Sequence, residues 1–140
     1  MFMTEIDVNF LAVLVAGVVQ FGIGSFWYSP VMFAKPWMRL MKINPEEMKP
    51  SSNEMAKIFG VSLVGSIVMA YILAHFAEYA GAINITDGLM LGFWAWLGFI
   101  VTTHIHGVLY EKKPWALFAI NMGHYLACFL AAGAILAIWR

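Results

Sequence analysis

Pro114–Trp139 reads PWALFAINMGHYLACFLAAGAILAIW, 26 residues without an Asp, Glu, Lys or Arg. A bilayer crossing takes about 20 mainly apolar residues, so this stretch is long enough to be one. Three more stretches share its character: Val8–Ala34 with 27 residues, Ile58–Ala77 with 20 and Gly88–Tyr110 with 23. Together the four hold 96 of the 140 residues, and all sixteen charges fall in the remainder. The chain is 62% hydrophobic and 11% charged, with mean hydropathy +0.79. Soluble domains carry about 25% charge. This composition excludes a soluble enzyme, a disulfide-stapled secreted domain and a disordered tail. Eight basic and eight acidic residues cancel, which leaves no net charge to attract nucleic acid.

The expected fold is therefore all-α: one integral-membrane domain over residues 1–140, a four-helix transmembrane bundle with spans at about 8–28, 58–77, 88–110 and 115–138. Helices are required because backbone groups in hydrocarbon must bond within their own segment. A cleaved signal peptide would begin with a basic segment. This chain begins with Glu5 and Asp7 and no Lys or Arg, so the first span is expected to be retained.

The basic residues set the orientation. Lys35, Arg39, Lys42, Lys49 and Lys57 lie between the first two spans, Lys112 and Lys113 between the last two, and Arg140 alone at the C-terminus. Both termini are thus expected outside and both basic loops in the cytoplasm. Trp27, Trp37 and Trp115 fall at the inner boundary and Trp139 at the outer, as aromatic anchors do. Pro30 disfavours helical geometry at Ser29 and should end the first span. Phe33, Trp37, Met38, Leu40 and Met41, with Lys35, Arg39 and Lys42 between them, then form a short amphipathic cytoplasmic segment. Asn44-Pro45-Glu46-Glu47 has the cap, proline and acidic first turn of a helix start. Ser51-Ser52-Asn53-Glu54 reads as a capping box opening the helix that becomes the second span.

Small residues let helices approach closely in lipid. Ser62, Ser66, Ala70 and Ala74 recur at every fourth position in the second span, and Ala119, Gly123, Ala127 and Ala131 do so in the fourth. These are the expected packing stripes, within one bundle or against a second copy. A chain of 15.7 kDa has little interior of its own, and self-association is expected.

Polar groups inside a span are costly and mark functional sites. Gln20, Ser62, Ser66, Thr102, Thr103, His104, Asn121 and His124 all fall within about 5–15 Å of the cytoplasmic boundary at 1.5 Å rise per residue. Asn121, His124 and Cys128 share a face by their spacing, and the hairpin places His104 level with Asn121. The sequence thus points to a ligand-binding pocket in the cytoplasmic half, lined by Gln20, His104, Asn121 and His124. The bland alternative is hydrogen bonding between helices. His75 and Glu78, three apart near the outer end of the second span, are weak metal candidates, but two ligands do not make a site. His75 and His124 lie at different depths, against paired haem ligation. Cys128 is the single cysteine, so no disulfide forms within the chain. No metal or cofactor is expected, and nothing resembles a nucleophile with its base, a phosphate loop or a paired-carboxylate site.

Gly24-Ser25-Phe26-Trp27-Tyr28-Ser29-Pro30, followed by Phe33-Ala34-Lys35-Pro36-Trp37, resembles the opening of a family of small four-span bacterial membrane proteins known only as a domain of unknown function. Tyr110-Glu111-Lys112-Lys113-Pro114, Ile120-Asn121, Tyr125 and Gly133–Trp139 resemble its ending. The resemblance implies four spans and a bacterial inner membrane, and it brings no activity. Two functions remain open: a small-solute or proton binding or permeation module, and an accessory subunit packing beside a larger membrane complex.

Overall fold

The computed structural model describes residues 6–47 and 49–139, so Glu5 and Arg140 lie outside the described residues. Five helices make up the fold, with no strand among those residues: α1 Phe10–Trp27, α2 Ala34–Met41, α3 Ser52–Ala80, α4 Ile85–Leu109 and α5 Trp115–Ile138. All but α2 are long and apolar enough to cross a membrane.

Local chemistry sets the helix ends. The Asn9 side chain accepts from the amides of Leu11 and Ala12 at 3.0 and 3.2 Å and starts α1. α1 stops at Trp27, ahead of Pro30 as expected, and the chain turns directly into α2. Lys35 and Arg39 point outward from α2 while Trp37, Met38 and Leu40 are half-buried. Lys42 ends this helix in the left-handed region at φ 57°. Asn44–Glu47 differs from expectation. The Asn44 carbonyl accepts from the Glu47 amide at 3.0 Å, but this is a single turn and no helix follows. Pro50 biases Lys49 away from helical geometry, so the turn has nowhere to propagate.

Ser51 does start α3, its hydroxyl accepting from the Glu54 amide at 3.2 Å. With 29 residues, α3 is about 44 Å long at 1.5 Å per residue and exceeds the roughly 30 Å hydrocarbon core. Gly81, at φ 70°, closes α3, where the Ala82 amide reaches the Ala77 carbonyl at 3.0 Å. Such a left-handed closing residue is usually glycine. Asn84 and Asp87 then cap α4 reciprocally: Asn84 accepts from the Asp87 amide at 2.9 Å and Asp87 from the Ile83 amide at 3.2 Å.

α5 touches every other helix. α1 lies against α3 and α5, while α4 leans chiefly on α5. The tightest seam is between α4 and α5. A Cβ built on Gly88 would fall on the Gly133 carbonyl, one on Gly92 on the Phe129 carbonyl, and one on Gly133 on the Gly88 carbonyl. Three glycines let two backbones touch, in the way small residues promote packing in lipid.

The expected stripes sit differently. Ala119 is exposed, Gly123, Ala127 and Ala131 are half-buried, and the face of α5 toward α4 runs instead through Phe129, Gly133 and Ala137. On α3, Ala70 and Ala74 are buried, Ser66 is half-buried and Ser62 is exposed. That gradient follows from the shape of the bundle. α1 and α3 meet closely where Gly17 faces Ile67. Beyond that point, toward the α3 start, the backbones are bridged by longer side chains, with the Phe21 and Phe59 rings meeting at 5.9 Å. The core of Val13, Ala16, Ala70, Leu73, Phe129 and Ala132 fills the half nearest the α3–α4 turn. The other half, which carries both basic loops, stays more open.

α4 carries an irregularity that its sequence does not announce. Residues Trp96–Val101 wind as a wide π-turn. The three residues that follow bond back to its carbonyls: Thr102 to Gly98 at 2.6 Å, Thr103 to Phe99 at 2.7 Å and His104 Nδ1 to Ile100 at 2.9 Å. Trp96, at its start, donates to the Met122 carbonyl at 2.9 Å and fastens α4 to α5.

Candidate functional site

Two grooves open in the half with the basic loops. The larger, about 490 Å³, lies between α1, α3 and α5. Gln20, Gly24 and Tyr28 line it from the α1 side, Phe59, Ser62 and Ser66 from α3, and His124 from α5. The second, about 360 Å³, lies at the α4–α5 hairpin and is lined by His104, His106, Glu111, Lys113 and Asn121 among others. Glu111 and Lys113 form an ion pair there at 3.0 Å, half exposed and therefore worth little energetically.

The four residues expected to share one pocket are thus divided between two. Gln20 and His124 face the larger groove; His104 and Asn121 face the hairpin groove. The two are joined by side chains whose role the sequence did not reveal. Tyr28 donates its hydroxyl to Asn121 Oδ1 at 2.7 Å. Rings run in a file from His104 to Tyr125 (centroids 5.3 Å apart), to His124 (5.0 Å) and to Tyr28 (5.1 Å).

Trp27, expected as a boundary anchor, has a further job that it shares with Tyr28. Trp27 donates its indole N–H to the Ile120 carbonyl at 3.0 Å, so two successive residues at the end of α1 clasp the start of α5. Glycines on the facing helix make room for each ring. A Cβ on Gly123 would come within 2.9 Å of the Trp27 ring, and one on Gly24 within 3.0 Å of His124 Nε2. Cys128, one turn on from His124, has its sulfur 3.4 Å from His124 Nε2 and 3.7 Å from the Gln20 carbonyl.

Gln20 is the anomaly. It is 4% exposed, and its Nε2 is buried with no hydrogen-bond partner among the described residues. A buried amide donor left unpaired costs about 1–3 kcal/mol, so it invites an explanation. Two serines of the groove bond within their own helices, Ser25 to the Phe21 carbonyl at 3.0 Å and Ser66 to the Ser62 carbonyl at 3.0 Å.

His75 lies away from both grooves. It is 1% exposed, its Nδ1 is 2.9 Å from the Tyr71 carbonyl, and its ring meets the Tyr71 ring edge-on at 4.6 Å. A carbonyl can only accept, so Nδ1 carries the proton. Glu78 is half-buried. Among the described residues no three His, Cys, Asp or Glu side chains come together as a metal site.

Four long apolar helices, three of them packed around α5, make a multi-pass membrane protein built as a small helical bundle. Over residues 11–137 the chain matches the family described as Protein of unknown function (DUF1761), and it belongs to that family. No curated protein and no solved structure matches it.

Proposed function

We propose that this protein is a binding module of a bacterial inner membrane that holds a small molecule in the groove between α1, α3 and α5. The observation that carries the reading is the unpartnered amide of Gln20, buried beside His124 at the wall of a 490 Å³ groove. Small-ligand pockets have volumes of about 300–1,000 Å³, with mostly apolar walls and a few placed polar groups. In this reading both termini face outward and the basic ends of α1 and α5 face the cytoplasm, because Lys35, Arg39, Lys42, Lys49, Lys57, Lys112 and Lys113 all flank that end of the bundle. The groove then opens in the cytoplasmic leaflet. Two copies pairing through apolar faces of α4, where Met90 and Trp94 are exposed, fits the expected self-association.

The test uses delipidated protein in detergent. A small-molecule extract of the host membrane should raise its melting temperature, and Ser62→Trp, which fills the groove from α3, should abolish the rise without lowering the melting temperature of the unliganded protein. An equal rise in wild type and Ser62→Trp would reject the groove as the binding site.

A further inference from the structure

We infer that the groove ligand is an uncharged, lipid-soluble molecule whose planar head presents a carbonyl oxygen to Gln20, the chemistry of a quinone ring. The inference rests on the groove being the binding site and goes further by naming the ligand class. Three features point to it. First, among the described residues the lining contains no Asp, Glu, Lys or Arg. A charged head would be taken from water with no counter-ion to meet it, which is costly at membrane depth.

Second, three of the groove's hydroxyls are already committed, the Ser62 hydroxyl lies exposed at the rim, and the one buried polar atom left unpaired among the described residues is on Gln20. Ser25, Ser66 and Tyr28 spend their hydroxyl protons on Phe21, Ser62 and Asn121. Gln20 Nε2 keeps its donors unspent. An unspent N–H calls for an acceptor, and a carbonyl oxygen is one that brings no charge. The terminal torsion of a glutamine is broad, so the amide can rotate to present its N–H to the groove.

Third, the walls suit a flat ring that arrives from lipid. Phe21 and Phe59 meet edge to face at 5.9 Å, and Tyr28 and His124 do so at 5.1 Å. Aromatic groups favour this offset or edge-on contact. Gly24 leaves the floor beside His124 without a Cβ. Ile58, Phe59 and Ser62 on α3 and Ser25 on α1 are exposed at the rim, so the groove opens sideways toward the acyl chains.

The experiment titrates the protein in zwitterionic lipid nanodiscs and reads occupancy by native mass spectrometry. The probes are decylubiquinone, decylbenzene as a ring without carbonyls, and dodecylamine as a charged amphiphile. Decylubiquinone should bind about three- to tenfold tighter than decylbenzene, the worth of one net hydrogen bond. Gln20→Leu should erase that difference while leaving decylbenzene binding intact, and Ser62→Trp should remove both. Equal binding of the two rings, or tighter binding of dodecylamine, would overturn the carbonyl assignment and leave the groove itself standing. Failure of every probe would overturn it too. The membrane-extract melting shift then separates a wrong ligand class from a groove that binds nothing.

Discussion

Gly88 and Gly133 occupy one crossing, and substituting either should be costly in a way that the pair together reveals. A Cβ on Gly88 would fall on the Gly133 carbonyl oxygen, 2.7 Å from the Gly133 carbonyl carbon and 2.8 Å from the Ala137 Cβ. Ordinary contact between such atoms is about 3.5–4.0 Å, so α4 and α5 must part by roughly 1 Å. Both sides of this crossing are backbone, which has no rotamer to give. Overpacking of this kind costs about 1–3 kcal/mol, and Gly88→Ala and Gly133→Ala should each fall in that range. Once one methyl has driven the helices apart, the second enters space already opened. The double variant should therefore be less destabilised than the sum of the two, with a coupling of about 0.5–3 kcal/mol as neighbouring sites show. Gly65→Ala is the control, since a Cβ there meets nothing within 4 Å. The assay is reversible unfolding in mixed micelles, followed by tryptophan fluorescence. Gly88→Ala as harmless as Gly65→Ala, or strict additivity in the double variant, would refute the seam.

Three further outcomes follow from named contacts. Tyr28→Phe and Asn121→Ala should show a coupling of about 0.5–1.5 kcal/mol in a double-mutant cycle, the net worth of one hydrogen bond; a cycle that closes at zero would remove the clasp between α1 and α5. In ligand-free protein, Gln20→Leu should be neutral or stabilising by up to about 1–3 kcal/mol, because it deletes an unpaired buried amide. A clear loss of stability on unfolding would instead mean that the amide is paired. For orientation, a cysteine placed at Lys112 in a Cys128→Ala background should resist a membrane-impermeant thiol reagent added outside intact cells and react in inverted vesicles; labelling from outside would reverse the topology.

The spans were legible because charge avoidance in hydrocarbon is a strong, one-dimensional signal. The four charge-free stretches correspond to Phe10–Trp27, Ser52–Ala80, Ile85–Leu109 and Trp115–Ile138. Caps were legible for the same reason, as Ser51 illustrates: a local pattern specifies a local bond. The rotation of each helix was not legible. In a soluble protein the polar face marks the outside, but lipid tails are as apolar as the core. Nothing in the composition of α5 therefore says that Phe129, Gly133 and Ala137 face α4 while Ala119 is exposed. The site shows the same split. Depth along the chain gathers Gln20, His104, Asn121 and His124 into one half, because depth is residue counting. Assigning Gln20 and His124 to one groove and His104 and Asn121 to another requires azimuth, which depends on how the helices are rotated against one another. Thr102, Thr103 and His104 read as a polar cluster, yet each bonds back to a carbonyl of the π-turn. The part played by Tyr28 was not legible because its partner Asn121 is 93 residues away.

The account turns on the groove beside Gln20, and native mass spectrometry of protein released from gently purified micelles tests it most directly. Wild-type protein should carry a reproducible non-covalent mass of a few hundred daltons, the size of ligand that pockets of this kind hold, and Ser62→Trp should lose it. A wild-type spectrum without such a mass, or the same mass retained by Ser62→Trp, would contradict the account.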